Sequence, residues 1–487
     1  MLISTLPAAT SEAESRRAAW LSSGLWSPDN LGVTLKSALE RNAKRTLRVW
    51  SRERPFQGRI GDILDDALRF SSALRSMGVQ PGDRVMLQLP NWSEAFVALI
   101  GTVFAGCVVV PLAPFYGARE RANALADSGA RVFVVAGNFG ANNLAADAVE
   151  QTFAATALEY VVVVGDGVPS GSLAFSDVLA RGSVRQDVYR GSADEIAILA
   201  FTSGSTGRAK GVMHSSRSLI VEGAHHGPIT LPRQAPNLCA APLAHAAGLV
   251  TALLVPMLRG EDIHVMDRWQ PDHALEAIRE DGLSAGNGAP AFLQSIVAHP
   301  GFRPGDLRNT RVVSFGGAPI PASTVAEISA MGIEVIRCYG STEHLASTGA
   351  TLSDPAEKRL ATDGRALPGV EFRIVDNDDR EVGPNVAGEL WSRGPDLCAG
   401  YLDPDATAEA FTPDGWFRTG DIAILDDDGW LRIVDRRKDI IIRSGLNVSA
   451  REVEIVLLNH RAILEAAVVG APDRSYERTG SRGSATS

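Results

Sequence analysis

The stretch Glu195-Ile196-Ala197-Ile198-Leu199-Ala200-Phe201-Thr202-Ser203-Gly204-Ser205-Thr206-Gly207-Arg208-Ala209-Lys210-Gly211 decides the fold. The apolar run Ile196–Phe201 reads as a short buried strand. The segment that follows changes character at once. Its glycines let the backbone turn and bring N–H groups close to an anion. Its four hydroxyls (Thr202, Ser203, Ser205, Thr206) and Lys210 add donors suited to phosphate oxygens. The loop is not a Walker A sequence, which needs Gly-Lys-Ser/Thr; here Lys210 stands between Ala209 and Gly211.

Outward from this loop, short β-rich runs alternate with helical patterns. Strands are expected at Arg84–Leu89, Val108–Leu112, Ala130–Val135, Tyr160–Val164, Glu195–Phe201, Asp262–Met266, Arg311–Phe315 and Glu334–Arg337. Helices are expected at Trp92–Phe104, Asp272–Glu280 and Ala322–Ala330. Such alternation predicts an α/β protein of mostly parallel, helix-covered sheets. After about Gly364 the pattern turns to short strands, Val370–Val375, Gly388–Ser392, Ile422–Leu425 and Trp430–Val434, which predicts a β-rich subdomain. The charged run Asp435-Arg436-Arg437-Lys438-Asp439 is a candidate boundary. Beyond it, Ser449-Ala450-Arg451-Glu452 fits a capping box, followed by Val453, Val456 and Leu457 at helical spacing. Ala466–Val469 reads as a buried strand, so a small, incomplete α+β C-terminal domain is expected.

Composition sets the limits. A chain of 487 residues suggests about three compact units. Its formal charge of −10 argues against general nucleic-acid binding, which needs a basic face. Cys107, Cys239, Cys338 and Cys398 are scattered without a CxxC pair, the pattern of a reducing, cytoplasmic setting. The first thirty residues have no apolar core and are not a signal peptide. Ala95–Gly117 and Leu238–Leu258 lack acids and bases and are long enough to span a bilayer. Gly101, Gly106 and Pro111, and Pro242, Gly248 and Pro256, interrupt them, so both are read as buried core and no transmembrane segment is expected.

The loop Thr202–Lys210 resembles the signature of the adenylate-forming (AMP-binding) superfamily, which includes acyl-CoA synthetases, luciferases and peptide-synthetase adenylation domains. Further segments resemble the family's other motifs, in its order: Pro242-Leu243-Ala244-His245-Ala246-Ala247-Gly248, Gly316-Gly317-Ala318-Pro319, Tyr339-Gly340-Ser341-Thr342-Glu343, Gly388-Glu389-Leu390, Phe417-Arg418-Thr419-Gly420-Asp421, Asp435 to Asp439, and Ser444-Gly445-Leu446-Asn447-Val448. The resemblance implies ATP-dependent activation of a carboxylic acid through an acyl adenylate, then transfer to CoA. It places Thr202, Ser203, Gly204, Ser205, Thr206, Gly207 and Lys210 on the β- and γ-phosphates, Thr342 with Gly340 on the α-phosphate side, and Glu343 on Mg²⁺. Asp421 and Arg436 would hold the ribose. Tyr339 would stack on adenine opposite Gly316, Gly317 and Ala318. His245 would line the acyl site, although a lone His is more often a core residue. Thr202, Lys210, His245, Thr342 and Glu343 form the expected catalytic set. Lys438 would be the hinge of a rotating C-terminal domain, or simply a solvated Lys. Ser444 and Gly445 would line the thiol tunnel.

The substrate follows from what the second motif lacks. The resemblance implies that amino-acid-activating members place an Asp near the second motif to pair the α-ammonium; Leu238–Leu258 has no Asp or Glu, so an amino acid is not expected. The expected pocket walls, Leu243–Leu249, Gly288–Phe292, Phe315–Gly317 and Tyr339–Thr348, are mostly small and apolar and suit a hydrophobic carboxylic acid. His344 and Ser347 are polar exceptions, placed either in the pocket or at the surface. The expected division is 1–434 as the AMP- and acyl-binding domain, 435–438 as hinge, 439–473 as a partial C-terminal domain, and 474–487, almost wholly Arg, Ser, Gly and Thr, as a disordered tail. The family's closing Pro-Lys-Thr-x-x-Gly-Lys type segment has no counterpart here, which predicts truncation and slowed adenylation. Two alternatives stand beside the ligase reading: a truncated nucleotide- and acid-binding relative without turnover, and an acyl-AMP ligase serving a carrier protein. No motif sets an oligomeric state.

Overall fold

The computed structural model describes residues 11–140, 142–152, 157–202, 209–288, 290–317, 320–443, 446–458, 463, 466–471 and 479–480. Its largest sheet has seven strands in the order Gly211–Ser215, Ile196–Phe201, Val108–Pro111, Arg84–Gln88, Val132–Ala136, Tyr160–Val164, Leu173–Ala174. All neighbours are parallel except the first pair. The strands are near-continuous apolar runs; Val132–Ala136 is buried at every position, as helices on both faces of a parallel sheet require. The helix Ile60–Ser76 turns Ile60, Ile63, Leu64, Ala67, Leu68 and Leu74 inward at helical spacing. It packs on the helix Ser93–Phe104, which is buried from Ala95 to its end.

That second helix explains the first uncharged stretch. Gly101 does not break it. A Cβ there would lie 2.7 Å from the Ala67 carbonyl oxygen and 2.9 Å from the Phe70 ring, so glycine lets the two helices touch. The turn comes at Gly106, with φ +78°, followed by the strand Val108–Pro111. The second stretch becomes a short strand Leu238–Cys239, a turn, and a helix with a π-helical segment Leu249–Leu254 continuing into Val255–Arg259. Among the described residues no helix is long and apolar enough to cross a membrane.

A second sheet runs Leu238–Cys239, Ile263–Met266, Thr46–Trp50, Phe56–Arg59, and a third, all parallel, runs Asn287–Gly288, Val312–Phe315, Glu334–Arg337. An isolated parallel bridge between Asn237 and Ser284 joins them. The β-rich subdomain is an antiparallel sheet of Glu371–Val375, Gly388–Arg393, Phe417–Leu425 and Leu431–Arg436.

Three expectations need correction. Phe417–Leu425 starts five residues before the expected Ile422, so Arg418 to Asp421 is strand and not a loop. Asp435 and Arg436 complete the last strand, pairing with Ile422 and Asp421; the chain leaves the sheet only at the 3₁₀ turn Arg437–Asp439. Residues 466–469 form no strand, and Val469 is exposed; a two-residue strand follows at Gly470–Ala471. The expected helix is present as Ala450–Leu458 and lies beside Leu431–Arg436, but Val456 is 65% exposed. The apolar spacing therefore marks a helix without marking a buried face. Residues 472–478 and 481–487 lie outside the described residues.

Candidate active site

A cavity of about 510 Å³ opens where the third sheet's parallel strands end. Gly288, Gly316 and Tyr339, each at or just past a strand's carboxyl end, line it together with His245, Phe292, Gly340, Thr342 and Leu345. Crevices beyond the carboxyl ends of parallel strands are where α/β proteins bind ligands. Gly316 is required by proximity, since a Cβ there would stand 2.8 Å from Cys338 Sγ; Gly340 is more tightly held, with the Leu345 carbonyl oxygen in the way. Gly317 takes φ +76°.

One end of the cavity carries Tyr339. Its hydroxyl donates to Asp421 Oδ2 at 2.5 Å, and Asp421 Oδ1 lies 3.2 Å from Arg436 Nε. The antiparallel pairing of Asp421 with Arg436 sets this geometry, because directly opposed residues project from the same face. Burial, then the charge of Asp421, holds the Tyr339 hydroxyl well above its ordinary range. Burial raises Asp421, opposed by Tyr339 and Arg436. The result is a fixed carboxyl group beside an aromatic ring.

Beside this lies a second group. Thr202 N–H donates to the Lys210 carbonyl at 3.0 Å and Lys210 N–H to Thr202 Oγ1 at 3.3 Å, closing the neck of the glycine–hydroxyl loop. The loop joins two antiparallel strands, with Phe201 opposite Gly211. Residues 399–402 run along the outer strand: Met213 N–H donates to the Gly400 carbonyl and Leu402 N–H to the Gly211 carbonyl. This puts Tyr401 under Lys210, whose Nζ lies 4.8 Å from the ring centre. The Tyr401 hydroxyl donates to Glu343 Oε1 at 2.7 Å. Burial and the Glu343 charge hold that hydroxyl far above its ordinary range. His214 Nε2 donates to the Thr342 carbonyl at 2.7 Å, and burial lowers the His214 pKa, keeping it neutral. Glu343 is partly buried and starts no helix.

At the cavity's other side His245 is half-buried and stacked on Phe115, with ring centres 5.7 Å apart and planes 16° from parallel; Tyr116 meets it edge-on. Burial lowers the His245 pKa. Phe115 is 65% exposed.

Behind the cavity sits a charged cluster. Glu222 and His226 lie one π-helical turn apart in Glu222–His226, and both are fully buried. His226 Nδ1 is 3.4 Å from Asp396 Oδ2 and 3.9 Å from Glu222 Oε2. His344 Nε2 is 3.0 Å from Asp396 Oδ1, and His344 Nδ1 is 2.9 Å from Ser392 Oγ. Burial would lower the His226 pKa, but Asp396 and Glu222 raise it to about 9. Burial, then the charge of Asp396, pushes Glu222 up to about 8. Burial works against ionised Asp396, yet His344 and His226 hold it far below the carboxylate range.

The cluster corrects two expectations. His344 and Ser347 are neither at the surface nor on the cavity wall: both are buried, and Ser347 Oγ donates to the Tyr339 carbonyl. The acid-free stretch Leu238–Leu258 is not the whole cavity wall, because Glu222 lines the cavity from an element outside it. Tyr401, His214, Phe115 and Glu222 were missed in the sequence. For Glu222 there was a signal: Glu and His four apart, directly after the apolar run Leu219–Val221. Lys438 is exposed on the turn Arg437–Asp439, while its neighbour Arg437 pairs with Glu389 at 2.6 Å. Ser203 to Gly207, Ala318, Ser444 and Gly445 lie outside the described residues.

The sequence pattern of the AMP-binding enzyme family matches residues 59–402. The medium-chain fatty-acid–CoA ligase of Escherichia coli K12 is 31% identical, over 96% of this chain and 82% of its own. A Rhodococcus jostii CoA ligase for 3-[(3aS,4S,7aS)-7a-methyl-1,5-dioxo-octahydro-1H-inden-4-yl]propanoate is 34% identical over 86% of this chain and 82% of its own. Among solved structures, ATP-bound MatB from Rhodopseudomonas palustris superposes with a TM-score of 0.80 at 27% identity, covering 93% of this chain and 88% of MatB.

Proposed function

This chain belongs to the AMP-binding enzyme family, and we propose that it is an acid–CoA ligase: it forms an acyl adenylate from ATP and a hydrophobic carboxylic acid, then passes the acyl group to CoA. The single cavity running from His245 and Phe292 to Gly316, Tyr339 and Thr342 carries this reading. An acid at one end and a nucleotide at the other would meet inside it, with carboxylate and α-phosphorus held in reach.

Two anions must approach, so the site has to place positive charge and donors where charge develops. In this proposal the loop Thr202–Lys210 takes the β- and γ-phosphates that leave as pyrophosphate. Lys210 is held over Tyr401 and is a nearby cation among the described residues. Thr342 would donate to the α-phosphate, its carbonyl fixed by His214. Glu343 would hold Mg²⁺; with one oxygen bound by Tyr401, it suits an ion that takes one or two carboxylates and fills its shell with phosphate and water. Bound there, Mg²⁺ would neutralise phosphate charge.

Asp421 would accept from the ribose hydroxyls while Tyr339, steered by that same carboxyl, offers a ring face to adenine across from Gly316 and Gly317. His245, neutral and stacked on Phe115, would border the acid's carboxylate. Lys438, exposed just beyond the strand Leu431–Arg436, is where a rotating C-terminal segment would pivot. Relatives acting on a plain fatty acid and on a fused-ring oxo acid are about equally similar, so the chemistry is common ground and the acid is the variable. Incubating the protein with ATP, Mg²⁺, CoA and a panel of fatty, alicyclic and aromatic acids, then measuring acyl-CoA and AMP, tests the proposal. Thioester from at least one hydrophobic acid and none from amino acids is expected; amino acids as the sole substrates would refute it.

A further inference from the structure

The cavity lining contains one carboxyl group among the described residues, and the adenylation chemistry does not use it. Glu222 is fully buried and lines the cavity beside Thr230, Leu231, Cys338 and Leu345. Its Oε2 accepts the Ala346 N–H at 3.2 Å. Its Oε1 has no hydrogen-bond partner among the described residues. Behind it His226 Nδ1 and Asp396 Oδ2 likewise lack a hydrogen-bond partner among the described residues, but of the three groups it is Glu222 that lines the cavity. Buried polar atoms in folded proteins are almost always paired, so an unpaired carboxyl oxygen on a ligand cavity points to a partner brought by the ligand.

We propose that Glu222 is the specificity-determining residue of the acyl pocket, binding a hydroxyl or keto oxygen that the acid carries away from its reacting carboxylate. The ligase then takes oxygenated hydrophobic acids in preference to the plain hydrocarbon acids of the same shape. This rests on the ligase reading above and goes beyond it by naming the substrate class. The chemistry of the cluster sets the sense of the contact. Burial and the adjacent Asp396 charge favour a neutral Glu222 carboxyl at neutral pH. With Oε2 accepting from Ala346, the proton resides on Oε1 and is donated to an oxygen in the cavity. A ligand ammonium is disfavoured, since it would face a neutral carboxyl with the protonated His226 close behind.

The test is a set of matched medium-chain and aryl acids, each plain, hydroxylated, keto-substituted or amino-substituted. Both kcat/KM for acyl-CoA formation and thermal stabilisation in the presence of Mg-ATP are measured. A site built to hydrogen-bond a substrate group discriminates strongly against analogues lacking it. The best hydroxy or keto acid is expected to exceed its plain parent by about tenfold or more. Glu222→Leu should bring that ratio to near unity by losing the oxygenated acid. Glu222→Gln, which keeps an N–H donor for the ligand and an acceptor for Ala346, should retain most of it. Equal handling of plain and oxygenated acids by the wild type overturns the proposal, as does an unchanged ratio in Glu222→Leu or a preference for amino-substituted acids. A stoichiometric divalent metal in the purified protein, lost in Glu222→Gln, also overturns it, since Glu222, His226 and Asp396 would then be metal ligands. If no acid is turned over, the ligase reading fails, and the binding ratios still decide whether Glu222 reads the oxygen.

Discussion

The two ends of the cavity are built differently. The end proposed for the nucleotide is a chain of pairs: Asp421 with Arg436 across one ladder, Tyr339 with Asp421, Tyr401 with Glu343. Each member sits in a recognisable run or one hydrogen bond from it. The end proposed for the acyl group is backed by Glu222, His226, His344 and Asp396, brought together from three distant segments and buried. The first end sets a buried carboxyl, Asp421, against a largely exposed Arg436 and so opens its charges to one side. The second confines charge in the interior, where removing one member leaves the rest uncompensated. Chemistry common to many substrates can be written in short runs; a pocket wall is assembled by the fold.

The largest effect should come from the buried end. Asp396→Ala strands His226 and His344 without their carboxylate, and breaking a buried ion pair costs about 3–5 kcal/mol. Chemical denaturation should show that loss. A change below about 1 kcal/mol would mean that the cluster is not a charged network.

Next is Glu343→Ala. If this residue holds Mg²⁺ at the phosphates, pyrophosphate release should fall by about 10²–10³-fold, the typical loss of one preorganised electrostatic group. Stability should change little, because only the Tyr401 contact goes. Near wild-type rates would take Glu343 out of the metal site.

Asp421→Ala should weaken ATP binding by about 1.5–3 kcal/mol, the range for charged hydrogen bonds. Arg436→Ala should do less than about 1 kcal/mol, since its side chain is mostly exposed and its ion pair screened. Calorimetric titration of both variants checks the order; a larger loss at Arg436 would reverse the roles.

The smallest effect is in pH. Glu222 and His226 both have pKa values raised by folding, so the native state holds more protons. The stability due to Glu222 is present below the ordinary carboxyl range and is lost as pH rises through about 8. That due to His226 is present below about 6.5 and is lost through about 9. Tm should therefore fall between pH 6.5 and 9 in the wild type, and fall less in Glu222→Gln. A flat or rising Tm over that window would contradict the assignment.

Much of the fold was legible because parallel strands and their helices are written in period and run length. The helix Ala322–Ala330 and the strand Glu334–Arg337 match their expected limits to the residue. Phe417–Leu425 was read short because Thr419, Gly420 and Asp421 look like a loop; Gly420, at φ +73°, sits within the strand. The apolar run Ala466–Val469 misled because hydrophobicity alone does not supply a partner strand. In the candidate site, Tyr339, Thr342, Glu343 and Asp421 were singled out through their runs. Tyr401 was not, since only the lateral pairing of residues 399–402 brings it to Glu343. Glu222 and Asp396 are 174 positions apart in a sequence that carries no mark of their meeting.

The central claim, one cavity in which an acid meets the α-phosphorus of ATP, is tested most directly without CoA. The protein, Mg²⁺, ATP and a turned-over acid are mixed, quenched, and examined by mass spectrometry for acyl-AMP alongside a pyrophosphate assay. Acyl-AMP and pyrophosphate in equal amounts, both strongly reduced in Glu343→Ala, are predicted. Formation of ADP and phosphate instead, or acyl-CoA from complete mixtures with no acyl-AMP in its absence, would contradict the account.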